Sequence, residues 1–273
     1  MVLMSNKVIG FVKSIFVRKK YKLISTLSVA VVILIWIIGD KLKWYNQLFL
    51  PSPSTVLSAF AEVLKDGYKG QTLFFHVLSS MKRLFTALIL AFIIAVPIGL
   101  ACGSSRFLLA IIDPFIEFYR PLPPLAYYTL LVLWFGIEDF SKVTLLFLSA
   151  FAPLFIATVF SVQKVPKDRI NGAKSLGATN LRLFIHVIFP SCLPDLLTGL
   201  RTSVGVAYST LVAAEMVAAV SGIGWLVLDA SKYLRYDMVY MGIIIMGIIA
   251  IIIDSCIRYV LKITSPWIEE KNN

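Results

Sequence analysis

The sequence predicts an all-α, multi-pass membrane protein, on three observations. Mean hydropathy is +0.86 and only 15% of residues are charged, where an average soluble domain carries about 25%. Several apolar runs approach the roughly 20 residues that an α-helix needs to cross a hydrocarbon core. No segment shows the ten-residue alternation of a membrane β-barrel strand.

The elements follow in order. Residues 1–22 form a basic tail carrying Lys7, Lys13, Arg18, Lys19, Lys20 and Lys22. The first membrane helix covers 23–39, with its apolar run at 23–38. No small-x-small cleavage site follows the run, only GDKLKWYNQ, so the segment reads as a retained anchor and not a signal peptide. Residues 40–76 form an extracytoplasmic loop in which Ser54 can cap an amphipathic helix. Val56, Leu57, Phe60 and Leu64 would share its apolar face, along the membrane surface.

The core, 77–263, holds clear spans at 84–102, 143–162, 196–217 and 238–261. A further crossing is expected between 107 and 135. There PLPP at 121–124 removes helix hydrogen bonds and predicts a bent or broken passage. Six crossings place both termini on one side. Fifteen Lys and Arg flank that side against nine on the other, so it is the cytoplasm. The loop 164–190 and the tail 264–273 are then cytoplasmic as well. No repeat of 20–50 residues breaks the chain into modules.

Composition also excludes functions. The net charge of +11 is absorbed by the basic flanks that orient the spans, which leaves no case for nucleic acid. The chain has no Gly-Lys dipeptide, so it has no P-loop and does not hydrolyse ATP by itself. Its two histidines, His76 and His186, fall on opposite sides of the membrane, which rules out a His-centred metal cluster or nucleophile relay. No catalytic residue, metal ligand or cofactor of its own is predicted. Cys102, Cys192 and Cys256 lack disulfide or metal spacing and are expected to pack in apolar surroundings.

Two groups of charges interrupt the spans. Asp113, Glu117 and Arg120 fall four and three residues apart, one stripe of a helix. Each would cost roughly 2.5–3.5 kcal/mol facing lipid at the bilayer centre, so the stripe should face protein or water, or Glu117 and Arg120 should neutralise each other. Arg201, Tyr208 and Glu215 recur every seven residues and share a helix face that could line a pathway. Gly205 and Ser209 add small residues there, which suit close helix packing or a ligand site. Asp254 is isolated and is expected to bond to a neighbouring helix.

The longest polar interruption is KVPKDRINGAKSLGATNLRLFIHVIFPSCLPD. Asp168 can cap a short helix with Ile170, Ala173 and Leu176 on one face, and Gly177 can end it in a left-handed conformation. A second short helix can carry Leu181, Phe184 and Val187 toward Pro190. Small residues around Gly172 and Ala173 would let a partner backbone approach, with Lys174 and Arg182 at the rim.

The spacing of Ala173, Gly177, Val187 and Pro190 resembles the cytoplasmic EAA loop of binding-protein-dependent ATP-binding-cassette importer permeases. The stretches RPLPPLAYYTLLVLWFGIEDFSK and LTGLRTSVGVAYSTLVAAEMVAA extend the likeness to the nitrate, sulfonate and taurine branch, most of all to taurine-type members. Asn171 stands where that family usually has glutamate, and Gly172 where it has alanine.

The resemblance implies the type I permease fold with six transmembrane helices, an inner-membrane location, and a homodimer of permeases. It also implies two ATPase subunits that hold ATP and Mg, and an extracytoplasmic substrate-binding protein, all working within membrane lipid. The coupling loop would use Asn171, Gly172, Ala173, Lys174, Leu176, Gly177 and Pro190. The gate and path would use Arg120, Glu117, Arg201, Tyr208 and Glu215. The implied cargo is a small organic anion or zwitterion, taurine or another aliphatic sulfonate, with nitrate or a thiamine-precursor pyrimidine as alternatives. An ion-coupled secondary transporter is the rival from another class; it would use the membrane carboxylates as proton carriers and show inverted repeats, which the sequence lacks.

Overall fold

The computed structural model describes residues 23–264, so the basic N-terminal tail and most of the C-terminal tail lie outside the described residues. Among the described residues the regular elements are all helices, as predicted. Helix α1 is Leu23–Lys41 and α2 is Pro53–Lys65. Then come α3 (Leu73–Ser104), α4 (Arg106–Tyr119), α5 (Pro124–Phe135), α6 (Asp139–Gln163) and α7 (Lys167–Ser175). A short α8 (Asn180–Leu183) runs through a π turn (Phe184–Ile188) into α9 (Phe189–Ala218), followed by α10 (Ile223–Lys232) and α11 (Tyr236–Thr264).

Among the described residues, five helices are long and apolar enough to cross a membrane: α1, α3, α6, the continuous α8–α9 and α11. The expected broken crossing is present as two pieces. Helix α4 has 14 residues and α5 has 12, each short of a full span, and residues 120–123 separate them. A sixth crossing therefore exists only if α4 and α5 together make one interrupted pass.

The centre of the bundle is α6, packed between α3 and α9. Small residues let these backbones close. A Cβ on Gly199 would lie 2.3 Å from the Ala157 Cβ, and one on Gly99 would lie 2.7 Å from the Thr158 Cβ, so side chains are excluded at both crossings. Around them Leu154, Phe155, Leu196 and Cys192 form one buried cluster, and Leu84, Leu146, Ala207 and Leu211 form a second. The helix starts follow from polar caps. Thr72 accepts the Phe75 N–H at 3.2 Å to open α3, and Ser105 accepts from Leu108 at 3.4 Å to open α4.

The π turn sits just ahead of Pro190 and closes with the Phe189 N–H on the Phe184 carbonyl. Proline would press its ring against the carbonyl four residues back in a regular helix; one wide turn relieves that contact without ending the helix. For this reason the predicted second short helix is instead the first turns of a long one.

Three details differ from the sequence-based expectation. Ser52, not Ser54, caps α2, accepting the Thr55 N–H at 3.1 Å with Pro53 at the first helical position. The buried face of α2 is Val56, Ala59 and Val63, packed with Leu226, Met238 and Met241, while Leu57, Phe60 and Leu64 are exposed. An exposed apolar face is natural beside lipid, so of the expected apolar residues only Val56 turns to the protein. Of the three cysteines, Cys102 and Cys192 are buried but Cys256 is exposed on α11.

Candidate functional site

Two ends of the bundle carry the polar chemistry. At one end α7 projects as a knuckle. It begins after Pro166, so Asp168 lies in the first turn and is not the cap; proline at that position sets the entry angle in its place. Ile170 packs on the core and anchors the helix. Its other end closes by a paired turn, with Gly177 N–H to Lys174 O at 2.9 Å and Ala178 N–H to Ala173 O at 3.1 Å. This pattern requires a left-handed residue, and Gly177 supplies it with φ +79°. Thr179 then caps α8 by accepting from Arg182 at 3.5 Å.

The knuckle presents Asn171, Gly172, Lys174 and Ser175 to solvent, with Leu176 90% exposed and Leu181 also bare. A Cβ at Gly172 or Gly177 would meet nothing within 4 Å. Leu176 was expected on the inner face with Ile170 and Ala173; it caps the helix with a non-helical ψ, which swings it outward. Pro190 lies beyond the π turn on the continuous helix. The arrangement is a rigid, convex, partly apolar projection.

The second candidate group divides. Asp113, Glu117 and Arg120 do share one stripe, and with Gln163 they line a cleft of about 160 Å³ between α4 and α6. Glu117 and Arg120 make no ion pair with each other among the described residues. Arg201, Tyr208 and Glu215 go to three different partners. Arg201 binds the Asp254 carboxylate through Nε and through Nη2 at 3.2 Å, the inter-helix bond expected for Asp254. Tyr208 donates to the Met246 carbonyl at 2.8 Å. Glu215 is 1% exposed and points into the other end of the bundle. Gly205 has open space where a side chain would stand, so it is not at a helix crossing within this chain.

That other end holds a network that sequence periodicity did not reveal. The Glu215 carboxylate accepts from Ser80 Oγ at 2.8 Å, Arg83 Nη1 at 2.8 Å and the Gly224 N–H at 3.0 Å. Arg83, 4% exposed, also donates from Nε to Asp139 at 2.7 Å, from Nη1 to the Ser221 carbonyl at 2.8 Å and from Nη2 to Ser221 Oγ at 3.1 Å. One guanidinium thus ties α3 to α6, α9 and the corner before α10. Gly222 is required twice over: its φ is +122°, and a Cβ there would stand 2.3 Å from Glu215 Cδ. Its N–H donates to His76 Nδ1 at 3.3 Å, which makes His76 a neutral acceptor on that nitrogen, stacked on Trp225 at 5.6 Å. Sequence offered one signal, Ser80 and Arg83 three residues apart on the helix entering the bundle.

Beside this network Asp229 accepts from Tyr68 at 2.9 Å and pairs with Lys69 at 2.7 Å. Burial and the hydrogen bond to Asp229 push the Tyr68 hydroxyl up to about 12. Burial works to raise the Asp229 carboxyl, but hydrogen bonds from Lys69 and Tyr68 and the Lys69 charge outweigh it and hold it below the usual range. No group of His, Cys, Asp and Glu among the described residues could hold a metal ion.

Comparison with known proteins identifies the family of this apolar helical bundle. Residues 95–269 match the family described as binding-protein-dependent transport system inner membrane component. The chain is 40% identical over 241 residues to the taurine transport system permease protein TauC of Escherichia coli (strain K12), covering 88% of each chain. It is 32% identical over 251 residues to a putative aliphatic sulfonates transport permease protein SsuC of Bacillus subtilis (strain 168), covering 92% of this chain and 90% of that one. In fold it superposes on the MetNI methionine ABC transporter, solved in inward-facing conformations, with a TM-score of 0.63 at 15% identity, over 69% of this chain and 94% of that one. On these likenesses, the chain belongs to the inner-membrane permease components of binding-protein-dependent ABC importers, within the branch that holds the taurine, sulfonate and nitrate permeases.

Proposed function

We propose that the chain conducts a small organic anion or zwitterion of the taurine and aliphatic sulfonate class across the membrane, in a dimer of permeases driven by two ATPase subunits that bind ATP and Mg. The observation that carries this is the knuckle. A convex turn with a fully exposed leucine at its tip and open space over Gly172 and Gly177 is the shape that seats in a groove of another protein. Asn171 stands at its start, so the contact relies on shape and hydrogen bonds more than on charge. The knuckle faces the cytoplasm, with both termini on that side, and the end bearing Glu215 and Arg83 faces the binding protein.

Arg120, with Asp113 and Glu117, faces the path. A cleft offering a guanidinium and two carboxylates suits a molecule with both an anionic and a cationic group, such as an amino sulfonate. Arg201, Tyr208 and Glu215 hold the helices that flank the path through the partners already described.

The test places Leu176→Cys on the knuckle and a cysteine in the surface groove of the co-expressed ATPase. Disulfide capture at this position, and none at Leu57→Cys on α2, is the expected result. Proteoliposomes holding the full complex should take up taurine only with ATP inside and binding protein outside. Uptake that persists without the ATPase overturns the assignment to an ATP-driven importer. Uptake of nitrate in place of taurine overturns only the cargo.

A further inference from the structure

We infer that the seam between α9 and α11 is a binding site for one anionic phospholipid drawn from the leaflet on the knuckle side. Two adjoining features carry this. The first is a groove of about 600 Å³ between α3, α9 and α11, lined only by apolar groups such as Phe85, Leu88, Phe92, Leu200, Ile252 and Cys256. The second is a cleft of about 190 Å³ that holds Arg201, Tyr208 and Asp254. The two share Val204, Ile253 and Ile257 in their walls.

Within the cleft Arg201 and Asp254 balance, but Arg258 beside it adds a second cation. Asp254 accepts from Arg201 and, at 3.0 Å, from Arg258 one turn along α11, so two guanidinium groups share one carboxylate. Both arginines are about half exposed, at 48% and 55% of their side chains, which leaves N–H donors turned outward. A surplus cation next to lipid hydrocarbon is unfavourable, and a phosphate is the anion that a membrane itself supplies to a basic pocket between helices.

Depth agrees with that. Helix α11 has 29 residues, about 43 Å at 1.5 Å per residue, against a hydrocarbon core of about 30 Å. Arg258 lies six residues before its last residue, roughly 9 Å from the end, at the boundary where headgroups sit. Asp254 and Arg201 lie one turn deeper. On α3 the groove wall runs from Ile93, 11 residues before the knuckle-side end at Ser104, to Met81, about 18 Å of helix that carries an acyl chain past the middle of the bilayer. The site therefore has a cationic mouth at headgroup level and an apolar channel one acyl chain long.

The test uses the full chain purified from membranes, delipidated, and re-exposed to phosphatidylglycerol or phosphatidylcholine before native mass spectrometry. Retention of one phosphatidylglycerol per chain, in preference to phosphatidylcholine, is expected. Arg258→Gln keeps the Arg201–Asp254 bond and should lower retention about fivefold, the effect of one cation on an anionic lipid; Arg258→Lys should restore it. Ile252→Trp, which fills the groove and leaves the charges, should lower retention at least as much. Lys232→Gln, an exposed cation on α10 outside both pockets, should leave it unchanged. The proposal fails if the two lipids are retained equally, if Arg258→Gln and Ile252→Trp both retain lipid as the wild type does, or if Lys232→Gln weakens retention equally. It also fails if Ile252→Trp alone is without effect, which reduces the site to an anion contact, if inorganic phosphate displaces the lipid, or if the wild type retains none because a second copy covers the seam.

Discussion

Removing Arg83 is the sharpest perturbation the structure offers. Arg83→Ala strips Glu215 of its only cationic partner in a site where the carboxylate is 1% exposed, leaving the Ser80 hydroxyl and the Gly224 N–H as donors. It also frees Asp139 and both oxygens of Ser221. Breaking a buried ion pair by deleting one partner costs about 3–5 kcal/mol, because the remaining charge stays uncompensated. Against a total stability of about 5–15 kcal/mol for a folded domain, that is a large fraction. Glu215→Gln should cost less, about 1–3 kcal/mol, since it keeps the volume but turns an N–H₂ group toward existing donors. The double change Arg83→Ala with Glu215→Gln removes both charges of the pair, and should cost less than the sum of the singles by about 0.5–3 kcal/mol. Equilibrium unfolding in mixed micelles, titrated with a denaturing detergent and followed by circular dichroism, measures all three. A loss below about 1 kcal/mol for Arg83→Ala, or strict additivity, would refute the claim that this network clamps the α9–α10 corner.

Three further outcomes follow from the same geometry. Replacing Gly177, φ +79° with open space around it, should weaken ATPase binding in the order Asn, Ala, Val; backbone strain of about 1–2 kcal/mol for Ala is the sole cause, and unchanged binding in Gly177→Val removes the turn from the coupling contact. The Lys69–Asp229–Tyr68 cluster should stabilise its loop over a bounded pH range. The Asp229 carboxyl is held low, so its contribution is present above its unfolded value near 4 and lost as pH falls through the folded value; Tyr68, raised to about 12, contributes below about 10 and loses that as pH rises through 12. The gap in melting temperature between wild type and Asp229→Asn should shrink on acidification below about pH 4, and a gap unchanged there counts against the cluster. Finally, Arg120→Ala should lower uptake without changing the amount of complex recovered, as a group lining a cleft and not the core; loss of the complex itself would assign Arg120 to packing.

Which parts of this were legible beforehand depends on whether the cause was local. The spans were, because a continuous apolar run of helical length has one stable place. The PLPP break between α4 and α5 was, because proline acts on its own neighbours. So was the turn at Gly177, where a residue free to take positive φ stands between two helical patterns. The cap of α2 was misplaced by two residues, since Ser52 and Ser54 both meet the local rule and Pro53 decides between them. Its protein-facing stripe of Val56, Ala59 and Val63 was not legible, because in a membrane an apolar side chain is equally at home against lipid and against protein.

The order of apolar and charged residues along the chain determined that this protein lives in a bilayer, that a polar segment beginning at 164 interrupts the spans, and that Asp113, Glu117 and Arg120 share a face, since each follows from helical period and transfer energy alone. Tertiary structure decided the partners. Arg201, Tyr208 and Glu215 are evenly spaced, yet one binds Asp254, one a carbonyl of α11 and one Arg83. Arg83 and Glu215 are 132 residues apart, and no periodicity in either helix encodes the rotation that brings them together; that rotation is set by the small-residue crossings of α3, α6 and α9.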